Sequence, residues 1–288
     1  MTSNIKEFEE IIENIHRRRN DIDALRVFAT ILLIFFHTAS LFTMYLVAPI
    51  KNQELSLEML IFVLFIHIWH MPLFFFLAGM STFYSLNFRT DRQYIKERFK
   101  RLIIPFILGV LIIIPPLSYY AHLASWSDLR RYPINFSGSF IEFYPRFFER
   151  DFFTWGHLWF LLYLFFISSV SIFTLLKKEA RNQGFSSMVE YYGKGRRIFL
   201  LALPMILINI SLRWLFPGFL NFVTDWANMF FYLSIFIFGF LIVGDIRFEE
   251  SIDRNKRLAL ILATILSFIV IFMMMSSFSG TSNPSITG

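Results

Sequence analysis

The stretch DALRVFATILLIFFHTAS, residues 23–40, is an apolar run of membrane length with Arg26 near its start and His37 deep inside it. Wound as an α-helix, the eleven steps between them turn through ~1,100°, which is ~20° beyond three full turns, and rise ~16.5 Å. Arg26 and His37 therefore share one helix face, separated by about half the ~30 Å hydrocarbon thickness of a bilayer. Arg26 sits at a membrane border, within reach of phosphates, and His37 lies near the midplane. An ionisable group at that depth is costly and calls for a water-filled cavity or a partner.

The rest of the chain supports a membrane reading. Its 288 residues are 56% hydrophobic and 19% aromatic, with a mean hydropathy of +0.56, outside the range of ordinary soluble domains. Apolar runs at 24–48, 57–86, 102–121, 155–176, 198–216, 227–244 and 258–278 are each long enough to cross a bilayer. The expected fold is all-α, a multi-pass transmembrane helical bundle of about seven spans. Counted by alternate sides, twenty Lys and Arg residues fall on the side of the N-terminus and five on the other. The positive-inside rule then places the N-terminus in the cytoplasm. These flanking charges account for the net charge of +6, so a nucleic-acid partner is not expected and membrane lipids are.

Three regions complete the expected organisation. Residues 1–21 lack the apolar core and cleavage site of a signal peptide. Ile5, Phe8, Ile12 and Ile15 put an apolar stripe on a short helix ending at Arg17, Arg18 and Arg19, which suits a helix lying on the cytoplasmic surface. Residues 22–278 form the transmembrane domain, and 279–288 a polar extracytoplasmic tail. Within the domain, Pro72 cannot donate to Ile68, so the second run is expected to kink there. The extracytoplasmic loop 122–155 carries 11 aromatic residues among 34, interleaved with Asp128, Glu142, Glu149 and Asp151. That mixture fits either an interfacial aromatic belt or a surface that stacks on sugar rings.

The polar residues of the spans are few. Asp23 lies three residues before Arg26, at pairing distance on a helix. His67 and His70 could both touch one metal ion, but their run holds no carboxylate and no third ligand is evident, so no metal site is expected. His122 reads as interfacial. His157, before Trp159, reads either as interfacial or as facing an acceptor, and Arg213 as snorkelling to water or meeting an acidic acceptor. The GKGRR run at 193–197 lacks the phosphate-loop spacing and reads as a solvated loop. The absence of cysteine excludes disulfides and a cysteine nucleophile, and no G-x-S-x-G supports a serine acyl-enzyme.

DALRVFATILLIFFHTA resembles the Arg-x10-His motif that opens the acyltransferase 3 family of membrane O-acyltransferases. HMPLFFFLAGM at 70–80, ERFKRLIIPFIL at 97–108 with its Arg98 and Arg101 pair, and GHLWFLLYL at 156–164 follow in the family's order. With FPGFLNFV and FYLSIFIFGFL farther on, the chain is most similar to the glucan biosynthesis protein C branch, which succinylates periplasmic glucans. The resemblance implies an O-acyltransferase of the plasma (bacterial inner) membrane. Its donor substrate would be a cytosolic acyl-CoA such as succinyl-CoA, its acceptor an extracytoplasmic glycan, and it would need no bound cofactor. It further implies His37 as general base with Arg26 beside it in the catalytic site, and Arg98 and Arg101 holding the polyanionic donor. His70, His157, Trp159 and Arg213 would line the cavity or meet the acceptor. Family members have about ten helices, so seven would make this chain a truncated or divergent short form. A transporter of an anionic solute, with the arginines as a funnel, and a non-catalytic partner in glycan assembly are the rival readings.

Overall fold

The computed structural model describes residues 20–43, 50–123, 136–174, 188–216 and 222–279. The amphipathic stripe of residues 1–19, part of the loop 122–155, the site of Pro217 and the tail from 280 onward lie outside the described residues.

Every described element is helical. α1 is Asn20–Ser40, α2 Leu57–Phe88, and α3 runs Asp91–Leu123. α4 is a short helix, Phe140–Arg146, and α5 is Trp159–Thr174. α6 is Leu203–Leu215, entered through a 3-10 stretch at Arg197–Ala202; α7 is Trp226–Ile242 and α8 Ile246–Ser279. Five of these segments are long and apolar enough to cross a membrane, and Gly156–Ile172 and Trp226–Ile242 are shorter apolar helices.

The third helix differs from the sequence-based expectation. It was placed at 102–121 but begins at Asp91, where Thr90 and Gln93 cap each other's backbone amides. Arg98 and Arg101 thus ride on the first turns of this long helix, at the end where the expected anion-binding role needs them. A π-helical turn, Phe99–Ile103, interrupts that helix just before Pro105, with Arg98 immediately ahead of it and Arg101 inside it. Such turns concentrate at functional sites because they re-aim the side chains around them. α2 runs unbroken past Pro72 as a single helix from Leu57 to Phe88.

α2 and α7 form the centre of the bundle, and glycines set their spacing. A Cβ at Gly79 would fall on the Phe236 carbonyl oxygen, and one at Gly239 on the Phe76 carbonyl oxygen. The two backbones touch reciprocally, as small residues permit where lipid supplies no hydrophobic drive for helix association. Phe75 and Ala78 of α2, Trp159, Tyr163 and Ile167 of α5, and Met229 and Phe236 of α7 fill the surrounding core. α1 packs on α2 through Phe36 and Ala39 against Val63 and Ile66. No residue of the apolar window of α8 is buried, so Leu260, Phe268 and Phe272 present their side chains to the surroundings.

The described part of the loop 122–155 folds into a core of its own. Phe136, Phe143, Phe147 and Phe152 pack with Val110 and Ile114 of α3. His122, expected at the interface, is instead 3% exposed and set edge-on to Phe152. Glu142 caps the amide of Ser139, and Glu149 pairs with Arg146. These buried rings and both carboxylates hold the described part of the loop together, while Phe140, Tyr144, Phe148 and Phe153 stay exposed.

The same end of the bundle holds Lys51, whose Nζ donates to the Ser40 carbonyl at the C-terminus of α1, at 2.9 Å. Burial lowers its pKa to about 8. Because this folded-state value lies below the ordinary lysine value, charging Lys51 opposes folding below about pH 8, and that cost is relieved as the pH rises from there toward 10.5. At pH 8 a water-soluble amine-reactive ester should label Lys51 ahead of the exposed Lys256, read by peptide mass spectrometry. Equal labelling rates would disprove the shift.

Candidate active site

Two polar clusters occupy opposite ends of the α1 face that carries Arg26 and His37. At the first, the last turns of α2 supply hydroxyls to arginines from neighbouring segments. Arg26 pairs with Asp23 at 3.2 Å, as their spacing predicts, and donates to Ser81. Arg98 donates to Thr82 Oγ1 at 3.2 Å and lies over the Tyr94 ring, 5.0 Å from its centre. Thr82 in turn exchanges a 2.7 Å hydrogen bond with the buried Tyr94 hydroxyl. Arg26 and Arg98 are near enough for their charges to repel.

Among the described residues Arg98 has only neutral partners, a hydroxyl and a ring. A guanidinium held beside a second one, with no carboxylate of its own, is a site for an anion, and its planar fork suits a phosphate. Arg101 is not brought to this cluster. It is 76% exposed, at 4.0 Å from Glu97, whose carboxylate also receives Arg89. The π-helical turn leaves Arg98 turned inward and Arg101 outward.

The second cluster is made of imidazoles. His37 Nδ1 lies 2.9 Å from the Leu33 carbonyl. A carbonyl can only accept, so Nδ1 carries the proton and Nε2 is left as the basic nitrogen. His70 Nε2 donates to the Ala29 carbonyl of α1 at 2.8 Å, across the helix pair. That bond satisfies His70, which is 2% exposed. Phe36 stacks on His67 and tilts over His70. The ring of His157 stands 5.8 Å from that of His37. Among the described residues no group of three His, Cys, Asp or Glu could hold a metal ion.

The remaining expected residues lie elsewhere. Trp159 is 7% exposed, edge-on to Tyr163 and beside Tyr232, within the central core. Arg213 donates to Asn228 at 2.8 Å, Asn228 donates to Asp225 at 3.0 Å, and Tyr163 donates to the same carboxylate at 2.9 Å. This network ties α5, α6 and α7 together. Arg213 is thus held by Asn228 and, more weakly, by Asn209 of its own helix at 3.3 Å.

A model of the acyltransferase domain family, acyltransferase 3, matches residues 19–287. The chain belongs to the acyltransferase 3 family. The match takes in both clusters of this acyltransferase 3 protein. A curated relative, glucans biosynthesis protein C of Escherichia coli (strain SMS-3-5 / SECEC), is 25% identical over 250 residues, covering 78% of this chain and 58% of its own. The chain therefore spans somewhat over half the length of that relative. No solved structure matches it.

Sequence reading missed Ser81, Thr82 and Tyr94, which aim the arginines of this acyltransferase 3 chain. Their signal was available: Ser81 and Thr82 directly follow the HMPLFFFLAGM stretch and are polar in an apolar run. It also missed Asn228, the partner of Arg213, and Asp225 behind it, which come from the start of another helix.

Proposed function

We propose that this protein is a membrane O-acyltransferase that moves an acyl group, succinyl in the closest reading, from a cytosolic acyl-CoA to a hydroxyl of an extracytoplasmic glycan. The observation that carries the reading is the pairing of two unlike sites on α1. An arginine pair with anion capacity stands at one end, and at the other a histidine whose tautomer leaves Nε2 free to accept a proton. The membrane enzyme class comes from the family, the glucan from the weaker similarity to glucans biosynthesis protein C, and succinyl only from the resemblance of the sequence motifs to that branch.

The mechanism follows from charge and distance. The phosphates of the donor bind Arg26 and Arg98 at the cytoplasmic border, and the pantetheine arm carries the thioester inward along α1. The acceptor oxygen attacks the thioester carbonyl while His37 Nε2 takes its proton. The carbon–sulfur bond breaks with its electron pair on sulfur, and the imidazolium returns the proton to the thiolate. A general base so placed contributes ~10² to 10⁴ in rate.

The test is transfer of labelled acyl from acyl-CoA, supplied on the cytoplasmic face of sealed vesicles, to glycan on the other face. Net solute flux without transfer would favour the transporter reading. Arg98→Ala should weaken donor binding ~10- to 100-fold, as expected for a lost charge-assisted contact, and flatten its salt dependence. Donor affinity that is unchanged across ionic strengths would refute the phosphate role.

A further inference from the structure

His157 comes from a turn whose neighbours are all anchored while its own side chain is not. Gly156 has φ +51°, a left-handed conformation that other residues adopt only with strain, and its amide is bonded to Thr154 Oγ1 at 3.0 Å. Leu158 packs so closely on α3 that its Cδ1 lies 2.5 Å from where a Cβ on Gly109 would stand. Trp159 is buried in the core. Between these fixed points His157 is an exposed residue, and its ring meets the ring of His37 at 68°.

No hydrogen bond joins the two imidazoles among the described residues, and their 5.8 Å centre-to-centre distance leaves a gap. One oxygen hydrogen-bonded to a nitrogen of each ring at ~2.8 Å, with a tetrahedral angle between the bonds, needs those nitrogens ~4.5 Å apart. Rings at the observed separation permit that. We propose that His37 and His157 bracket the acceptor oxygen: His37 Nε2 removes the hydroxyl proton, and His157 donates a hydrogen bond that orients a lone pair toward the thioester.

The pair then forms a site for the oxygen of an acceptor hydroxyl. The atom balance is that of the transfer step above: the O–H proton passes to His37, the ester C–O bond forms, and the thiolate leaves and is protonated. His157 gains and loses no proton. The inference rests on the acyltransferase reading.

The experiment compares the unaltered protein with His157→Phe and His157→Gln in reconstituted membranes. Labelled succinyl-CoA is the donor and gluco-oligosaccharides are the acceptor. Donor binding, acyl transfer and donor hydrolysis are measured separately. His157→Phe, which keeps the ring without its nitrogens, should lose at least ~10² in kcat/KM for the acceptor while donor binding and slow hydrolysis persist. His157→Gln, which keeps a donor at similar reach, should recover at least ~10-fold of that loss. Transfer by the unaltered protein with His157→Phe unaffected would overturn the bracket alone. An equal loss of donor binding and hydrolysis in His157→Phe would also overturn it, by showing a structural role. Donor binding without any transfer by the unaltered protein would overturn the acyltransferase reading, and the bracket with it.

Discussion

His37→Ala should bind acyl-CoA as the unaltered protein does and transfer its acyl group ~10² to 10⁴ more slowly. The separation of the two effects is geometric. The arginine cradle is built from α1, the end of α2 and the start of α3, through Ser81, Thr82 and Tyr94, and none of these contacts involves His37. Removing the imidazole leaves the Leu33 carbonyl within its helix, where it keeps the backbone environment of any turn. The variant should fold, and the comparison at matched amounts of inserted protein reads chemistry alone. His37→Gln offers an amide in place of the ring but no basic nitrogen, so it should be as inactive as alanine. Transfer at the original rate in both variants would make His37 a packing residue.

The largest structural effect is expected at the contact of α2 and α7. Gly79→Leu places a branched side chain where the Phe236 carbonyl carbon is 2.9 Å and the Phe240 amide nitrogen 3.0 Å from even a first Cβ. The obstacle is backbone, which cannot rotate away as a side chain can, so the helices must part. Overpacking typically costs ~1–3 kcal/mol, and a rigid backbone on the receiving side puts this substitution at or above the upper end. Gly239→Leu meets Phe76 in the same way. Thermal unfolding in detergent, followed by size-exclusion chromatography, should show both variants strongly destabilised, with a double variant costing less than twice either because both part the same interface. Gly195 is the control for space: nothing stands within 4 Å of a Cβ there, so Gly195→Ala should cost only the strain of its φ of +60°. A Gly79→Leu protein as stable as the original would show that the two helices do not need to approach so closely.

Legibility differed by residue. Arg26, Asp23 and His37 lie within one helix, so counting residues was enough to put them on one face and to pair the first two. The third helix began eleven residues earlier than its apolar run because Thr90 and Gln93 cap a polar start that hydropathy does not register. Arg98 and Arg101 looked equivalent in sequence, but a π-helical turn that begins after Arg98 and contains Arg101 gave them different surroundings. His70 carried no sign in sequence of its partner, the Ala29 carbonyl on another helix.

The sequence by itself determined a helical membrane protein, the half-bilayer spacing of Arg26 and His37, and the family motifs, because each depends on composition or on neighbours within a single helix. Tertiary structure alone decided that His157 stands beside His37, that Arg98 lies near Arg26 while Arg101 does not, that Trp159 is buried in the core, and that Arg213 is tied to Asn228. In a soluble helix an apolar stripe marks the face that packs inward. In these spans nearly every face is apolar, so periodicity no longer says which helices meet; the close approaches at Gly79, Gly239 and Gly109 do, and these are properties of paired surfaces.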